Sequence, residues 1–479
     1  MAKLKNIIKQ LSEKDYKAIQ SQLVESSADK SAYLLSSMRE RQLSDTKIME
    51  ELEVNTNAYY TLRSRLNQKI EEYLLQQIES PRTDILKKVA NINEVVFTKK
   101  RAIAVATLKK LERELLDYDL SNELIVIYKY LKKLNIHSPD YFNYSQLYNK
   151  HVAFTLAVDK AEDMLTEYFK KYGIYLFTND ERERMGLDLL VKEMKNVSAI
   201  YKSHRLYVYQ SCMVIFHRLF VETEEEVDTS EEPVEDIIEM VEEIFEQYKL
   251  DPIYYHLNLV FEYLKLEYYN HYKVYRKAEK YFEEVNDAIS NLLTNYSYFT
   301  WPSKFLETKM RRHLRMGIEA EMYEENEVLF DEYEPDMQDV PQYIYYVTYR
   351  AMSCYYVGKY QEAARWINNL LNEVSLKKYP LLHLEIKVIL VLQYCLMNDF
   401  DLFNQLINSI QRQIRILGKE NCEHVLLLTK MLKISISEVK QEKVEKIQPL
   451  MEKFNKIKPD TFAPTTLIKM DESFLERLC

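Results

Sequence analysis

The chain has 479 residues, of which 47% are hydrophobic and 29% charged, and its formal net charge is −10. It carries only 5 glycines and 11 prolines, against a usual share of about 7% and 5%. No glycine-rich phosphate loop fits, and a β-rich or disordered chain is disfavoured, because tight turns and linkers lean on those residues.

Charge is unevenly spread. Residues 1–110 hold 20 basic and 14 acidic side chains, whereas residues 221–250 hold 13 acids opposed only by Lys249. A net acidic body is a poor non-specific partner for nucleic acid, where affinity comes mostly from neutralising phosphates. The length exceeds what one core usually carries, so several domains or a modular array are expected. Helical periodicity in nearly every segment predicts an all-α fold.

Residues 1–80 are expected to form a small helical module, rich in Ser, Asn and Gln and nearly balanced in charge. Within it, residues 43–74 read LSDTKIMEELEVNTNAYYTLRSRLNQKIEEYL. Ser44 or Asp45 can cap a helix ending near Leu52, and Asn55, Thr56 or Asn57 can cap a second one running from Ala58. Leu62, Leu66 and Ile70 supply the packing stripe of that second helix. This layout resembles the helix-turn-helix of sigma factors and response regulators, which implies DNA contacts from Tyr59, Tyr60, Arg63 and Arg65. Glu53 stands where that family commonly has a glycine, and a carboxylate there opposes phosphate.

Residues 85–102, ILKKVANINEVVFTKKRA, read as a junction to an array over residues 81–460. Prolines at 81, 139, 233, 252, 302, 341, 380 and 459 punctuate the helices. Residues 196–220 keep apolar and aromatic side chains three or four apart, as one helical stretch would. Residues 222–232 read as an acidic loop. The stripe Val234, Ile237, Ile238, Val241, Ile244 and Phe245 then reads as an amphipathic helix with an acidic outer face. That loop and face are a possible dock for a basic segment.

The clearest repeat unit is residues 347–371, VTYRAMSCYYVGKYQEAARWINNLL. Ala351 and Ala363 let two helix axes approach, Gly358 breaks the chain between them, and Tyr360 opens the second helix. Weaker copies place Phe400 and Phe403, Tyr275 and Ala278, and Val158 and Ala161 at the same spacing, with intervals near 39 and 42 residues. The unit resembles the tetratricopeptide (TPR) repeat, whose hairpin carries a G-[DK]-Y-x-x-A element. The resemblance implies a TPR-like right-handed superhelix of antiparallel helix pairs, and the whole layout is similar to TPR-type proteins of bacteria. Residues 461–479 are expected to cap the array as a C-terminal helix.

The 39 tyrosines suit half-buried positions of such an array, since the ring packs while the hydroxyl stays hydrogen-bonded. Tyr345, Tyr349 and Arg350 are the candidate partner-binding residues on a concave face. No zinc motif, nucleophile elbow or triad pattern appears; Cys422 and His424 lie two apart and point to different helix faces. No catalytic residue, cofactor or metal is therefore assigned, and an enzyme is not expected. Five dispersed cysteines argue against a disulfide framework. No signal segment or membrane span is read, which predicts a cytoplasmic protein. The expected function is a protein- or peptide-binding scaffold or adaptor. The alternative is a DNA-binding transcriptional regulator whose array acts as a sensor.

Overall fold

The structure is a computed structural model that describes the chain apart from residues 1–3, 5–7, 9–10, 12, 27, 42–44, 78–80, 119, 224–231, 249–251, 332, 438–439 and 460. Among the described residues there are twenty-four α-helices, three short 3-10 turns and no strand. The chain is all-α. It divides into two compact units, residues 1–151 and 152–479, and no described helix is long and apolar enough to cross a membrane.

The first unit holds α1 (Glu13–Glu25), α2 (Asp29–Arg39), α3 (Asp45–Glu51), α4 (Thr56–Gln77), α5 (Pro81–Ala90), α6 (Ile92–Thr98), α7 (Arg101–Asp117) and α8 (Ser121–Leu134). Two separate cores form within it. Tyr16, Ile19, Leu34, Leu35, Ile48, Leu66 and Ile70 close the first, so residues 1–80 carry a core of their own. Ile85, Ile92, Leu108, Leu115, Leu124 and Leu131 close the second. The expected junction at residues 85–102 is thus helical and packs through Ile85 and Ile92.

The α3–α4 hairpin follows the expected boundaries closely. Asn55 is the cap: its side chain accepts from the Ala58 N–H at 2.9 Å, while Ser44 lies outside the described residues. Glu53 sits at φ 49°, the left-handed region that glycine adopts at least cost. The Val54 N–H closes the turn onto the Met49 carbonyl at 3.1 Å, as helix ends with a left-handed residue do.

The second unit begins within α9 (Asp140–Thr178), followed by α10 (Glu181–Tyr201), α11 (His204–Phe220) and α12 (Val234–Gln247). The expected single helical stretch over residues 196–220 is broken at Lys202, whose φ is 46°. The stretch around Val158 and Ala161 lies in the middle of α9 and opens no hairpin, although Ala161 is fully buried. Most of the predicted acidic loop, residues 224–231, lies outside the described residues. The apolar stripe of α12 is inside, with Val234, Ile237, Ile238, Val241 and Ile244 all buried.

Four hairpins then share one geometry. They pair α13 (Pro252–His271) with α14 (Tyr275–Asp287), α16 (Lys304–Met316) with α17 (Glu321–Leu329), α18 (Val340–Tyr356) with α19 (Tyr360–Glu373), and α20 (Pro380–Leu396) with α21 (Phe400–Leu417). The short α15 (Ile289–Asn295) follows the first pair, and α22 (Glu423–Ser437) and α23 (Lys440–Phe454) form a further pair. In each of the four turns one residue is left-handed: Lys273, Gly317, Gly358 and Asn398, spaced 44, 41 and 40 residues apart. The next N–H bonds the carbonyl five residues back in all four, from Val274 at 2.8 Å, Ile318 at 3.1 Å, Lys359 at 2.9 Å and Asp399 at 3.0 Å. Such a bond satisfies a carbonyl that a helix end otherwise leaves open.

The same register fixes burial. Seven residues before each left-handed position stand Leu266, Met310, Ala351 and Val391; five residues after stand Ala278, Met322, Ala363 and Phe403; all eight are buried. Ala363→Leu and Ala278→Leu are therefore each expected to overpack a hairpin and cost about 1–3 kcal/mol. Denaturant midpoints measure this, and unchanged midpoints for both variants would refute the close contact. Another close approach involves α9: a Cβ on Gly173 would stand 2.8 Å from the Trp301 ring.

Tyrosines fill this core as well as its rim, where Tyr255 and Tyr272 are exposed. Tyr168, Tyr172, Tyr209, Tyr254 and Tyr263 are fully buried, and the Tyr168 hydroxyl meets His217 Nδ1 at 3.0 Å. Tyr263 donates to the Trp301 carbonyl at 2.7 Å, and Tyr209 to Glu162 at 2.8 Å.

Candidate functional site

After α23 the chain leaves α-helical geometry. Pro464 lacks an N–H and opens a short 3-10 turn over Pro464–Leu467, the position where a helical turn leaves its first N–H groups without partners. Residues 461–470 run back over α9, α18 and α20 and are seated in a groove between them. The final helix, α24 (Glu472–Leu478), then packs through Phe474 and Leu478.

Three anchors hold the segment. The Phe462 ring stacks on Tyr345, with centroids 4.0 Å apart and planes 19° from parallel, and Phe177 lies 5.9 Å away. The Phe462 N–H donates to the Leu176 carbonyl at 3.1 Å, a group in the last turn of α9 with no later helical N–H to receive. Glu385, buried in α20, accepts from both the Thr465 N–H at 3.1 Å and its hydroxyl at 2.5 Å; its other oxygen meets His424. Tyr356 donates to the Leu467 carbonyl at 2.6 Å and accepts from the Lys469 N–H at 3.0 Å. Lys469 also pairs with Glu319 at 3.0 Å.

The groove is not filled. A cavity of about 390 Å³ lies on one side of residues 457–459, bounded by Lys304, Glu307, Arg311 and Tyr345. A second of about 340 Å³ lies on the other, bounded by Glu385, Glu420 and His424. Both are also lined by Asn179, Ile457, Lys458, Pro459 and Thr461.

Charge in the first cavity is balanced by position. Burial would raise the Glu307 carboxyl, but Lys304 at 2.7 Å and Arg311 at 2.8 Å outweigh it and hold it down at about 2. Behind it, burial lifts Glu267 to about 7, against the opposing pull of the Thr308 hydroxyl and Lys304. Thr308 donates to one Glu267 oxygen at 2.9 Å, and the other has no partner among the described residues. Two neighbouring carboxyls thus differ in protonation near neutral pH.

The sequence-based candidates fall differently from expectation. Tyr345 is 2% exposed and Tyr349 1%, so neither presents a ring to an outside partner as expected. Tyr345 does form the groove wall, but Phe462 covers its face; Tyr349 packs inward, 5.9 Å from Phe330. Arg350 is half-buried and lies 4.8 Å from the Trp366 ring centroid, donating to the Tyr346 hydroxyl at 2.7 Å. Phe462, Thr465, Glu385, Tyr356 and Glu307 carry the site instead. Helical periodicity could not reveal the seating of Thr465 and Leu467, because Thr465 meets Glu385 80 positions away and Leu467 meets Tyr356 111 positions away.

In the first unit, Tyr60 and Arg65 are exposed, whereas Tyr59 and Arg63 are buried, with the Arg63 guanidinium 5.9 Å from the Tyr59 ring centroid. Exposed Glu50, Glu51 and Glu53 share the hairpin with Arg65. Its charge is mixed rather than uniformly basic.

One group has metal-ligand types at close quarters: His313, Glu321 and Glu325 bring ligand atoms within 4.8 Å of one another. His313 Nδ1 bonds the Lys309 carbonyl at 2.8 Å. The buried Lys309 ammonium pairs with Glu325, so that carboxylate already has a cation beside it. No family model matches the chain, and no curated protein or solved structure matches it either.

Proposed function

We propose that the chain is a protein- or peptide-binding scaffold or adaptor, built on a TPR-like superhelix of helix pairs and gripping extended segments along a groove. The observation that carries this is that the groove already holds a non-α segment of the same chain, residues 461–470, through ring stacking, a buried carboxylate and a tyrosine hydroxyl. Two further features support it. Left-handed turn residues recur every 40 to 44 positions with buried residues at fixed offsets, and arrays stacked from such units offer long accessible grooves. The Gly358, Tyr360 and Ala363 element matches the TPR hairpin.

Panning the full chain against a random peptide library tests the proposal. Enriched peptides are expected to lose binding to Glu385→Lys while the variant keeps its helical content. No enrichment, or enrichment indifferent to Glu385, would overturn it.

A DNA-binding regulator is the second reading, favoured by the left-handed Glu53 turn and the exposure of Tyr60 and Arg65. A salt-dependent mobility shift with duplex DNA, lost in Arg65→Glu, would carry that reading; no shift at low salt would remove it.

A further inference from the structure

Helices α16 and α17 face each other through three side chains that can each give one ligand atom to a cation. His313 stands in the last turn of α16, Glu321 opens α17, and Glu325 follows one turn later. Their ligand atoms all lie within 4.8 Å of one another. Residues four apart share one helix face, so the two carboxylates sit side by side and the imidazole comes to them from across the Gly317 turn. The ring is already set by a second bond. His313 is 1% exposed, and Nδ1 bonds the Lys309 carbonyl at 2.8 Å, the ring's one hydrogen bond among the described residues. A carbonyl only accepts, so in the neutral ring Nδ1 carries the proton and Nε2 the lone pair. Metal-bound histidines are oriented in this way, by the other ring N–H donating to a carbonyl or carboxylate.

The carboxylates are short of positive charge. Lys309 donates to one Glu325 oxygen and to Asn286 Oδ1 at 2.7 Å. A carboxylate has two oxygens, and a hydrogen bond to one of them steadies the other as a ligand. Arg312, the next cation, is turned to Glu279, with bonds of 2.9, 3.0 and 2.7 Å. Glu321 is exposed and forms no ion pair among the described residues. Like charges one turn apart disfavour the helix, and Lys309 offsets only one of the two.

We propose that His313, Glu321 and Glu325 bind one Zn²⁺ ion, which staples α16 to α17. One imidazole nitrogen and two carboxylate oxygens, with no thiolate, suit Zn²⁺, and the two carboxylates balance its charge. Mg²⁺ and Ca²⁺ prefer shells made wholly of oxygen, so the imidazole selects against them. Three protein ligands leave the fourth tetrahedral position to water. The ligands come from two helices, so the hairpin turn brings them together where no short motif could. Zinc binding here stands or falls separately from peptide binding in the groove.

Calorimetric titration of Zn²⁺ into the metal-free full chain is expected to show one site per chain. Glu321→Gln changes an exposed side chain and spares the fold; it is expected to weaken that site about tenfold or more, and His313→Gln likewise. Glu324→Gln, at an exposed acid of α17 outside the group, should leave the site unchanged. Zn²⁺ should also raise the thermal midpoint of wild type and not that of Glu321→Gln, because an ion that binds only the folded chain stabilises it. Mg²⁺ at the same concentration should not. Equal Zn²⁺ affinity in wild type and Glu321→Gln would overturn the proposal, as would the absence of a one-to-one site. So would an equal loss in Glu324→Gln, which would show only a diffuse attraction to an acidic helix.

Discussion

Glu267→Gln is expected to stabilise the chain by about 3 kcal/mol at pH 8 and to change it little at pH 4.5. Glu267 is 3% exposed, and burial raises its carboxyl from 4.5 to about 7. A shift of that size, at about 1.4 kcal/mol per unit, disfavours the ionised folded state by about 3 kcal/mol. The folded value lies above the unfolded one. Its favourable contribution is thus complete below about 4.5 and is lost as pH rises to about 7, after which the loss is constant. Gln keeps an oxygen for the Thr308 hydroxyl and never ionises. Glu307 acts in the opposite sense. Its folded value is depressed to about 2, so its contribution is complete above about 4.5 and is lost as pH falls toward 2. Denaturant unfolding of wild type and variant at pH 4.5, 6 and 8 reads the difference. Parallel curves across that range would show that burial leaves the Glu267 carboxyl at its unfolded value.

Glu325→Ala is expected to cost about 3 kcal/mol, whereas Lys309→Met is expected to be close to neutral. Lys309 is 1% exposed; its ammonium donates to the Asn286 side chain at 2.7 Å and pairs with Glu325. Burial lowers its pKa, and the Glu325 contact resists that. Removing the carboxylate leaves a buried cation with one neutral acceptor, and breaking a buried pair from one side costs about 3–5 kcal/mol. The low end applies because Glu325 is itself 34% exposed. Methionine fills the stem volume of lysine without a charge, and an apolar replacement for a buried ion is often harmless. The double variant should regain most of what Glu325→Ala loses. A double variant no better than Glu325→Ala alone would show that the carboxylate serves the fold by some route other than this pair.

Much of the architecture is legible before any coordinates. Proline positions mark helix starts: Pro81, Pro252 and Pro380 open their helices and Pro341 is the second residue of its own, where a missing N–H costs nothing. The Gly358 hairpin is readable because glycine, aromatic and alanine sit at fixed offsets. Its counterparts at Lys273 and Asn398 are harder to see, since the left-handed turn is kept while glycine is not. The break at Lys202 is hidden for the same reason. Ala161 misleads because a small buried residue serves any helix crossing, whether or not a turn precedes it.

The sequence by itself determines that the chain is helical, where most helices begin, and which face of each is apolar, because these follow from backbone sterics and a 3.6-residue period acting over a few positions. Only the tertiary structure decides which aromatic rings are covered, which carboxylates lose their water, and where residues 461–470 lie. Tyr345 is a groove wall under Phe462 rather than an open contact because a segment more than a hundred residues away folds back across it. Burial and charge pairing depend on neighbours brought together by the fold, and local periodicity carries no record of them.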